Sequence, residues 1–213
     1  MENEITLSQI IEFAIDEMRG SIVLTQELSE SGWCIPIEQG RVQLHGKIKS
    51  SSLAKTEVIE EFYAENFSKV IENELRRESL LVTEPHKTIL TECIESYHEG
   101  KYSICIPALF SIIESMLVFL ANDGDFNKIR YASPLQVRID SGDIRNETLL
   151  GKLREIQIVI TGLFSKIPFD GSEKDKCLNR HSAMHGRVER AYKRADALKL
   201  FALAAMIMSC YEN

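Results

Sequence analysis

The sequence has little of what marks a secreted, membrane-bound or disulfide-stabilised protein. No apolar run approaches the roughly 20 residues of a membrane span. The acidic start, Met1–Glu4, lacks the basic and apolar regions of a secretory signal. Five scattered cysteines without C-x-x-C spacing disfavour a disulfide framework or a zinc ribbon. These absences predict a cytoplasmic protein that does not associate with a membrane.

Acidic residues outnumber basic ones, with 32 Asp and Glu against 25 Lys and Arg. The net charge is −7, which argues against a protein that coats nucleic acid. Residues 1–84 hold 16 Asp and Glu against 8 Lys and Arg, whereas the remainder is close to neutral. Near the C-terminus five basic residues cluster with only Glu189 opposing them: Arg180, Arg187, Arg190, Lys193 and Arg194. This cluster is interpreted either as a site for one local anionic ligand or as a solvated helix end.

Apolar residues recur with helical spacing along most of the chain, which predicts an all-α helical bundle. A first helix is expected over residues 5–18, ending before Gly20. The segment 20–52 is less regular, and within it 41–45 alternates weakly, as a short strand or an extended loop would. A long amphipathic helix follows over 58–75.

The pattern then predicts a helix that begins after Thr83, carries Pro85 in its first turn and ends at Gly100. The next, Tyr102–Leu120, is apolar on nearly every side and is therefore expected at the centre of the bundle. Residues 121–145 are interpreted as a long connection with at most a short helix.

Three further helices complete the prediction. One is capped by Asn146 or Thr148 and continues to Phe164. Ser172 is the expected cap of the next helix, which ends at Gly186. The last covers residues 195–210 and is strongly apolar.

The chain is accordingly divided into two parts. Residues 1–83 are interpreted as an N-terminal helical extension that contains the irregular segment 20–52. Residues 84–213 are interpreted as the main helical domain.

The segment from Leu178 to Gly186, with the sequence LNRHSAMHG, concentrates the chemistry of the chain. Arg180 is a permanent planar cation that suits phosphate, and His181 and His185 can exchange protons near neutral pH. On one helix Arg180 and His185 are about 140° apart, whereas the two histidines share a face. Arg180 and His185 would then lie on either side of a groove that a second copy of the chain completes.

One chemistry for this segment is metal-free cleavage of RNA. A neutral histidine would withdraw the proton of a 2′-hydroxyl while Arg180 stabilises the charge that builds on the phosphate. The sequence contains no obvious acidic metal cage, and no cofactor is expected.

Two other interpretations stay open at this point. Cys177, His181 and His185 form a C-x3-H-x3-H face that suits zinc, although no fourth ligand is evident. In a purely structural interpretation His181 packs internally, His185 caps the helix near Gly186, and Arg180 pairs with a carboxylate.

The segment resembles the R-x4-6-H signature of the HEPN superfamily, the helical domains named for higher eukaryotes and prokaryotes nucleotide-binding. Asn179, Arg180, His181, His185 and Gly186 also resemble an N-R-H-x3-H-G core found in a bacterial subset. Such domains carry an inward-facing glutamate on an earlier long helix. Glu114, a lone carboxylate in the apolar stretch 102–120, matches that position.

The resemblance covers about residues 84–213 and implies an up-and-down core of four helices. It implies a metal-independent endoribonuclease that acts as a homodimer, with RNA as substrate, in a toxin–antitoxin or phage-defence system. Other members of the superfamily are non-catalytic nucleotide- or protein-binding modules.

The roles that follow from the resemblance and from the charge cluster are these. Arg180, His185 and His181 are the predicted catalytic residues, with Glu114 and Asn179 as supporting residues. The predicted phosphate-binding residues are Arg187, Arg190 and Lys193.

Overall fold

Ten α-helices and one π-helical turn form the regular structure of the computed structural model, which describes residues 7–35, 38–77, 82–125, 127–166, 178–187 and 190–211. No strand occurs in those ranges, which confirms the all-α fold class. In chain order the elements are α1 (Leu7–Glu30), α2 (Glu38–Ser50), α3 (Lys55–Glu65), the π-helical turn (Phe67–Glu72), α4 (Asn73–Leu75), α5 (Glu84–His98), α6 (Tyr102–Ala121), α7 (Ala132–Asp140), α8 (Glu147–Leu163), α9 (Arg180–Met184) and α10 (Arg194–Ser209).

Helix α6 lies at the centre of the bundle, as its composition predicts. It packs most extensively against α10 and α5, and it also contacts α7 and α9. Leu109, Ile113 and Leu117 are fully buried on this helix. A helix that is apolar on all sides needs cover from several neighbours, and α6 has it.

By length and composition α6 could also cross a membrane, and it is the one helix in the described ranges for which this holds. The expectation that no run approaches a membrane span was therefore wrong. Ser111 and Glu114 interrupt the apolar run without ending the apolar helix. In the structure 61% of its most apolar stretch is buried inside the bundle. That burial is consistent with the core helix of a soluble protein.

Two expectations for the N-terminal part are corrected. Helix α1 continues through Gly20 to Glu30, since the roughly 1 kcal/mol by which one glycine weakens a helix is not enough to end it. Residues 41–45 are helical, neither strand nor loop, and belong to α2. Leu44 is 1% exposed while Val42 is 77% exposed. A strand would place these two residues on the same face, so their burial does not follow the alternation in the sequence.

Most of the other boundaries are confirmed. Helix α5 follows Thr83 and ends before Gly100, which has a φ of 74°. Asn146 caps α8, since its side chain accepts a hydrogen bond from the backbone N–H of Leu149. The long helix expected over 58–75 is present, but the π-helical turn interrupts it.

Buried side chains between residues 24 and 75 share one hydrophobic core with the rest of the described chain. Helix α1 packs against α8, and α3, the π-helical turn and α4 pack against α10. An aromatic cluster marks the second contact. The ring of Phe67 lies 4.2 Å from that of Tyr97 and 5.2 Å from that of Phe201, measured between centroids.

A buried carboxylate holds the junction between α1 and α2 against α8. Glu155 is 3% exposed and accepts a hydrogen bond of 2.7 Å from the backbone N–H of Ile35. Its other oxygen accepts one of 2.8 Å from the guanidinium of Arg41. Desolvation raises the pKa of Glu155 above its ordinary value, and Arg41 opposes that rise.

The raised pKa of Glu155 predicts a pH dependence of stability. The folded state binds the proton more tightly than the unfolded state, so this group adds stability as the pH falls from neutral toward 4.5 and loses it as the pH rises. The free energy of unfolding of the wild type, relative to Glu155→Gln, should therefore increase as the pH is lowered. Urea denaturation followed by circular dichroism at several pH values measures this difference. Glu61→Gln, on the exposed side of α3, is the matched control. A constant difference between wild type and Glu155→Gln would contradict the assignment.

Candidate functional site

Asn179 positions the Arg–His segment against the end of α8. Its side-chain oxygen accepts hydrogen bonds from the backbone N–H groups of His181 (2.8 Å) and Ser182 (3.3 Å), so Asn179 is the N-cap of α9. Its amide nitrogen donates to the backbone and hydroxyl oxygens of Ser165, at 3.1 and 3.2 Å. Asn179 is 3% exposed. Asn179 therefore holds the first turn of α9 in place.

The end of α9 is equally well defined. His185 is the C-cap residue, and Gly186 follows with a φ of 64°, a conformation that favours glycine. The backbone N–H of Gly186 donates to Ala183 and that of Arg187 donates to Ser182, at 3.3 and 3.0 Å. This pair of bonds is the Schellman motif.

The helix that carries the segment is shorter than the sequence indicates. It begins at Arg180, and the extended backbone of Asn179 prevents it from continuing toward the N-terminus. The expectation of one helix from Ser172 to Gly186 was therefore wrong, and Ser172 itself lies outside the described residues. Since Asn and Ser are both good N-caps, the sequence alone did not distinguish a helix capped by Ser172 from one capped by Asn179.

Arg180 and Glu114 form an ion pair between α9 and α6. The guanidinium Nη2 lies 2.7 Å from a carboxylate oxygen of Glu114, and the two side chains are 32% and 31% exposed. The Nε of Arg180 is buried and has no hydrogen-bond partner among the described residues. The pair is thus half-buried, with one edge of Arg180 held by protein.

Tyr131 completes the surroundings of Glu114, and the sequence analysis missed it. Its hydroxyl donates to the second oxygen of Glu114, at 3.4 Å. Desolvation, and then the charge of Glu114, raise the pKa of Tyr131 to about 12, so the hydroxyl keeps its proton at neutral pH. No spacing signal points to Tyr131, because it lies in the connection before α7.

His181 and His185 lie together on the face that their spacing predicts. Their ring centroids are 4.7 Å apart and the rings meet edge to face. Desolvation lowers the pKa of His181 from its ordinary value, and the nearby charges of His185, Arg180, Lys166 and Arg187 act in the same direction. His181 is therefore held in its neutral form at neutral pH, whereas His185 is exposed at the end of the helix.

The three predicted phosphate-binding residues are not equivalent. Arg190 donates to both carboxylate oxygens of Asp196, at 2.7 and 2.8 Å, and so braces the start of α10. Lys193 precedes α10 and is exposed. Arg187 is exposed and acts electrostatically on His181, as does Lys166, which the sequence analysis did not single out.

The zinc alternative depends on a residue that the structure does not describe. Cys177 lies outside the described residues, so its place relative to His181 and His185 is not part of the site geometry. Among the described residues no group of three His, Cys, Asp or Glu side chains could hold a metal ion.

These side chains offer a fixed cation and two adjacent imidazoles on one short surface helix. No protein-family model, no curated protein and no solved structure matches the chain. Function must therefore be inferred from the geometry of Arg180, Glu114, His181 and His185.

The lowered pKa of His181 is directly measurable. In an NMR titration of the imidazole Cε1–H signals, His181 should titrate below its ordinary value of 6.5. Lys166→Gln or Arg187→Gln should each raise the pKa of His181, because each removes a positive charge that disfavours the imidazolium. Arg154→Gln removes an exposed charge from α8 and serves as the control, with no change expected. An unchanged pKa in both test variants would contradict the assignment.

Proposed function

We propose that the chain is a metal-independent endoribonuclease of the HEPN type. The observation that carries the proposal is the ion pair of Arg180 with Glu114 beside the His181–His185 pair on α9. Arg180 and His185 act directly on the RNA, and His181 assists them. Glu114 and Asn179 act as positioning residues.

Arg180 binds the scissile phosphate and stabilises the charge that builds on it. An arginine presents its donors in a rigid planar fork, which suits a phosphate more closely than a flexible lysine does. The contact with Glu114 uses one nitrogen of that fork and so restricts its orientation. Preorganised donors of this kind need little rearrangement during the reaction.

The histidines move the protons. One neutral imidazole accepts the proton of the 2′-hydroxyl, whose oxygen attacks the phosphorus. The bond between phosphorus and the 5′-oxygen breaks, and the 5′-oxygen takes a proton from an imidazolium. The products are a 2′,3′-cyclic phosphate and a 5′-hydroxyl. His185, exposed at the end of α9, is the general base or general acid, and His181 beside it assists in positioning.

Charge around the site favours a short stretch of RNA over a long duplex. Lys166 and Arg187 add positive charge close to His181, within a protein of net charge −7. Repulsion from the acidic remainder weakens binding to an extended backbone. An exposed loop of RNA is short enough to contact the positive residues without extending over the acidic remainder of the protein.

The proposal includes a homodimer whose two α9 segments form a composite site. It places the protein in the cytoplasm, in a toxin–antitoxin or phage-defence system, with an antitoxin or defence protein as partner. No cofactor takes part in the proposed reaction.

Replacing either acting side chain should abolish cleavage. Arg180→Ala and His185→Ala are each expected to lower the rate by roughly 100-fold or more, since they remove charge stabilisation and proton transfer respectively. Arg180→Lys should recover only part of the loss, because a lysine keeps the charge but lacks the planar fork. The assay follows cleavage of cellular RNA on gels, with Arg154→Ala as the control and circular dichroism to verify folding.

Two results would oppose the proposal. Undiminished cleavage by both Arg180→Ala and His185→Ala would remove these residues from the chemistry. Binding of RNA or a nucleotide by the wild type without any turnover would favour the alternative, a non-catalytic binding module.

Mixing two inactive variants tests the composite site. If Arg180 of one protomer works with His185 of its partner, a mixed dimer of Arg180→Ala and His185→Ala chains keeps one intact site. Random mixing should then restore about a quarter of the wild-type activity. The variants are mixed under conditions that exchange subunits, and light scattering measures the dimer. A mixture that exchanges subunits but stays inactive would place both residues of a site in one chain.

A further inference from the structure

A groove of about 430 Å³ lies beside the Arg–His site. One wall is the segment from Ile129 to Ser133, at the start of α7, and the other is the end of α8 with Phe164 and Ser165. The volume falls within the range of roughly 300–1,000 Å³ that is usual for small-molecule sites.

The groove shares two residues with the framework of the site. Tyr131 lines the groove while its hydroxyl donates to Glu114, the partner of Arg180. Ser165 lines the groove while it accepts the hydrogen bonds of Asn179. A ligand in the groove is therefore next to the phosphate position that Arg180 defines.

The lining combines aromatic, cationic and hydroxyl groups. The rings of Tyr131 and Phe164 lie 5.9 Å apart, nearly perpendicular to each other. Arg130 is exposed at the rim, and no Asp or Glu is among the described residues that line the groove. Ile129, at one end of the groove lining, is 85% exposed.

This set of groups suits a nucleotide. Unpaired bases of RNA stack on aromatic rings and on arginine. Their edges accept hydrogen bonds from hydroxyls and donate hydrogen bonds to them. The absence of carboxylates from the described lining keeps a neighbouring phosphate from being repelled. A base within a duplex remains stacked and paired and cannot enter such a groove.

We propose that this groove holds the nucleobase adjacent to the scissile phosphate, against the wall formed by Tyr131 and Phe164. The inference rests on the proposed function and deepens it, because it makes single-stranded RNA the substrate. Tyr131 then has two roles: its ring contacts the base and its hydroxyl helps to position Glu114.

The test uses a labelled hexanucleotide with 2′-O-methyl groups, which lacks the attacking hydroxyl and cannot be cleaved. Fluorescence anisotropy measures its binding to the full chain. Tyr131→Leu should weaken binding about tenfold through loss of the aromatic surface. Arg130→Gln should weaken it severalfold. Tyr131→Phe keeps the ring and loses only the hydroxyl that helps to position Glu114, so it should lose clearly less affinity than Tyr131→Leu.

A second probe isolates the contribution of the base. It has the same sugar–phosphate backbone but no bases, so it should bind more weakly to the wild type and lose no more affinity in Tyr131→Leu than in Tyr131→Phe, which also lacks the hydroxyl. Arg154→Gln is the matched charge control for Arg130→Gln, since it removes an exposed arginine from an earlier turn of α8.

The outcomes separate this inference from the proposed function. Unchanged binding of the hexanucleotide by Tyr131→Leu and Arg130→Gln overturns the base site, while cleavage that depends on Arg180 would still stand. Equal loss of both probes in Tyr131→Leu also overturns it, because the effect would not involve a base. A wild type that neither binds nor cleaves RNA overturns the proposed function, and the base site with it.

Discussion

Burial of the apolar surface of α6 is the constraint on which the rest of this structure depends. Helices α5, α10, α7 and α9 pack on it, and only one side of it, which carries Ile104 and Ser111, is exposed to solvent. Its one carboxylate, Glu114, is half-buried, and it is satisfied by Arg180 and Tyr131. The ion pair that defines the candidate site is therefore also the means by which the central helix accommodates a charge, and it fixes α9 on the surface of the bundle.

A second carboxylate performs a similar task on the other side of the bundle. Glu155 on α8 is held by Ile35 and Arg41, which joins the N-terminal helices to the same core. The two sites differ in exposure. Glu155 is 3% exposed, whereas Glu114 and Arg180 are about one-third exposed. An ion pair that remains accessible to solvent suits binding or catalysis more than it suits stability.

The candidate site and its groove use local charge within an acidic protein. Arg180 and the imidazole pair lie on α9 and at its end, while Lys166 follows α8 and Arg187 follows α9. Arg190, by contrast, is engaged with Asp196, so its place in the charge cluster has a structural reason. Positive charge is thus concentrated around His181.

Periodicity and end signals in the sequence were enough to determine the all-α class, the central helix, and the ends at Gly100, Asn146 and Gly186. They failed at Gly20, because one glycine weakens a helix too little to end it, and at residues 41–45, where α2 buries Leu44 and exposes Val42. The spacing of His181 and His185 determined their contact, since four residues make one turn. Tyr131 and the groove were decided only by the tertiary structure. Tyr131 is 17 residues from Glu114 in sequence and Arg180 is 66. Only the packing of α6, α7 and α9 brings three such distant residues together, because no local rule relates their positions.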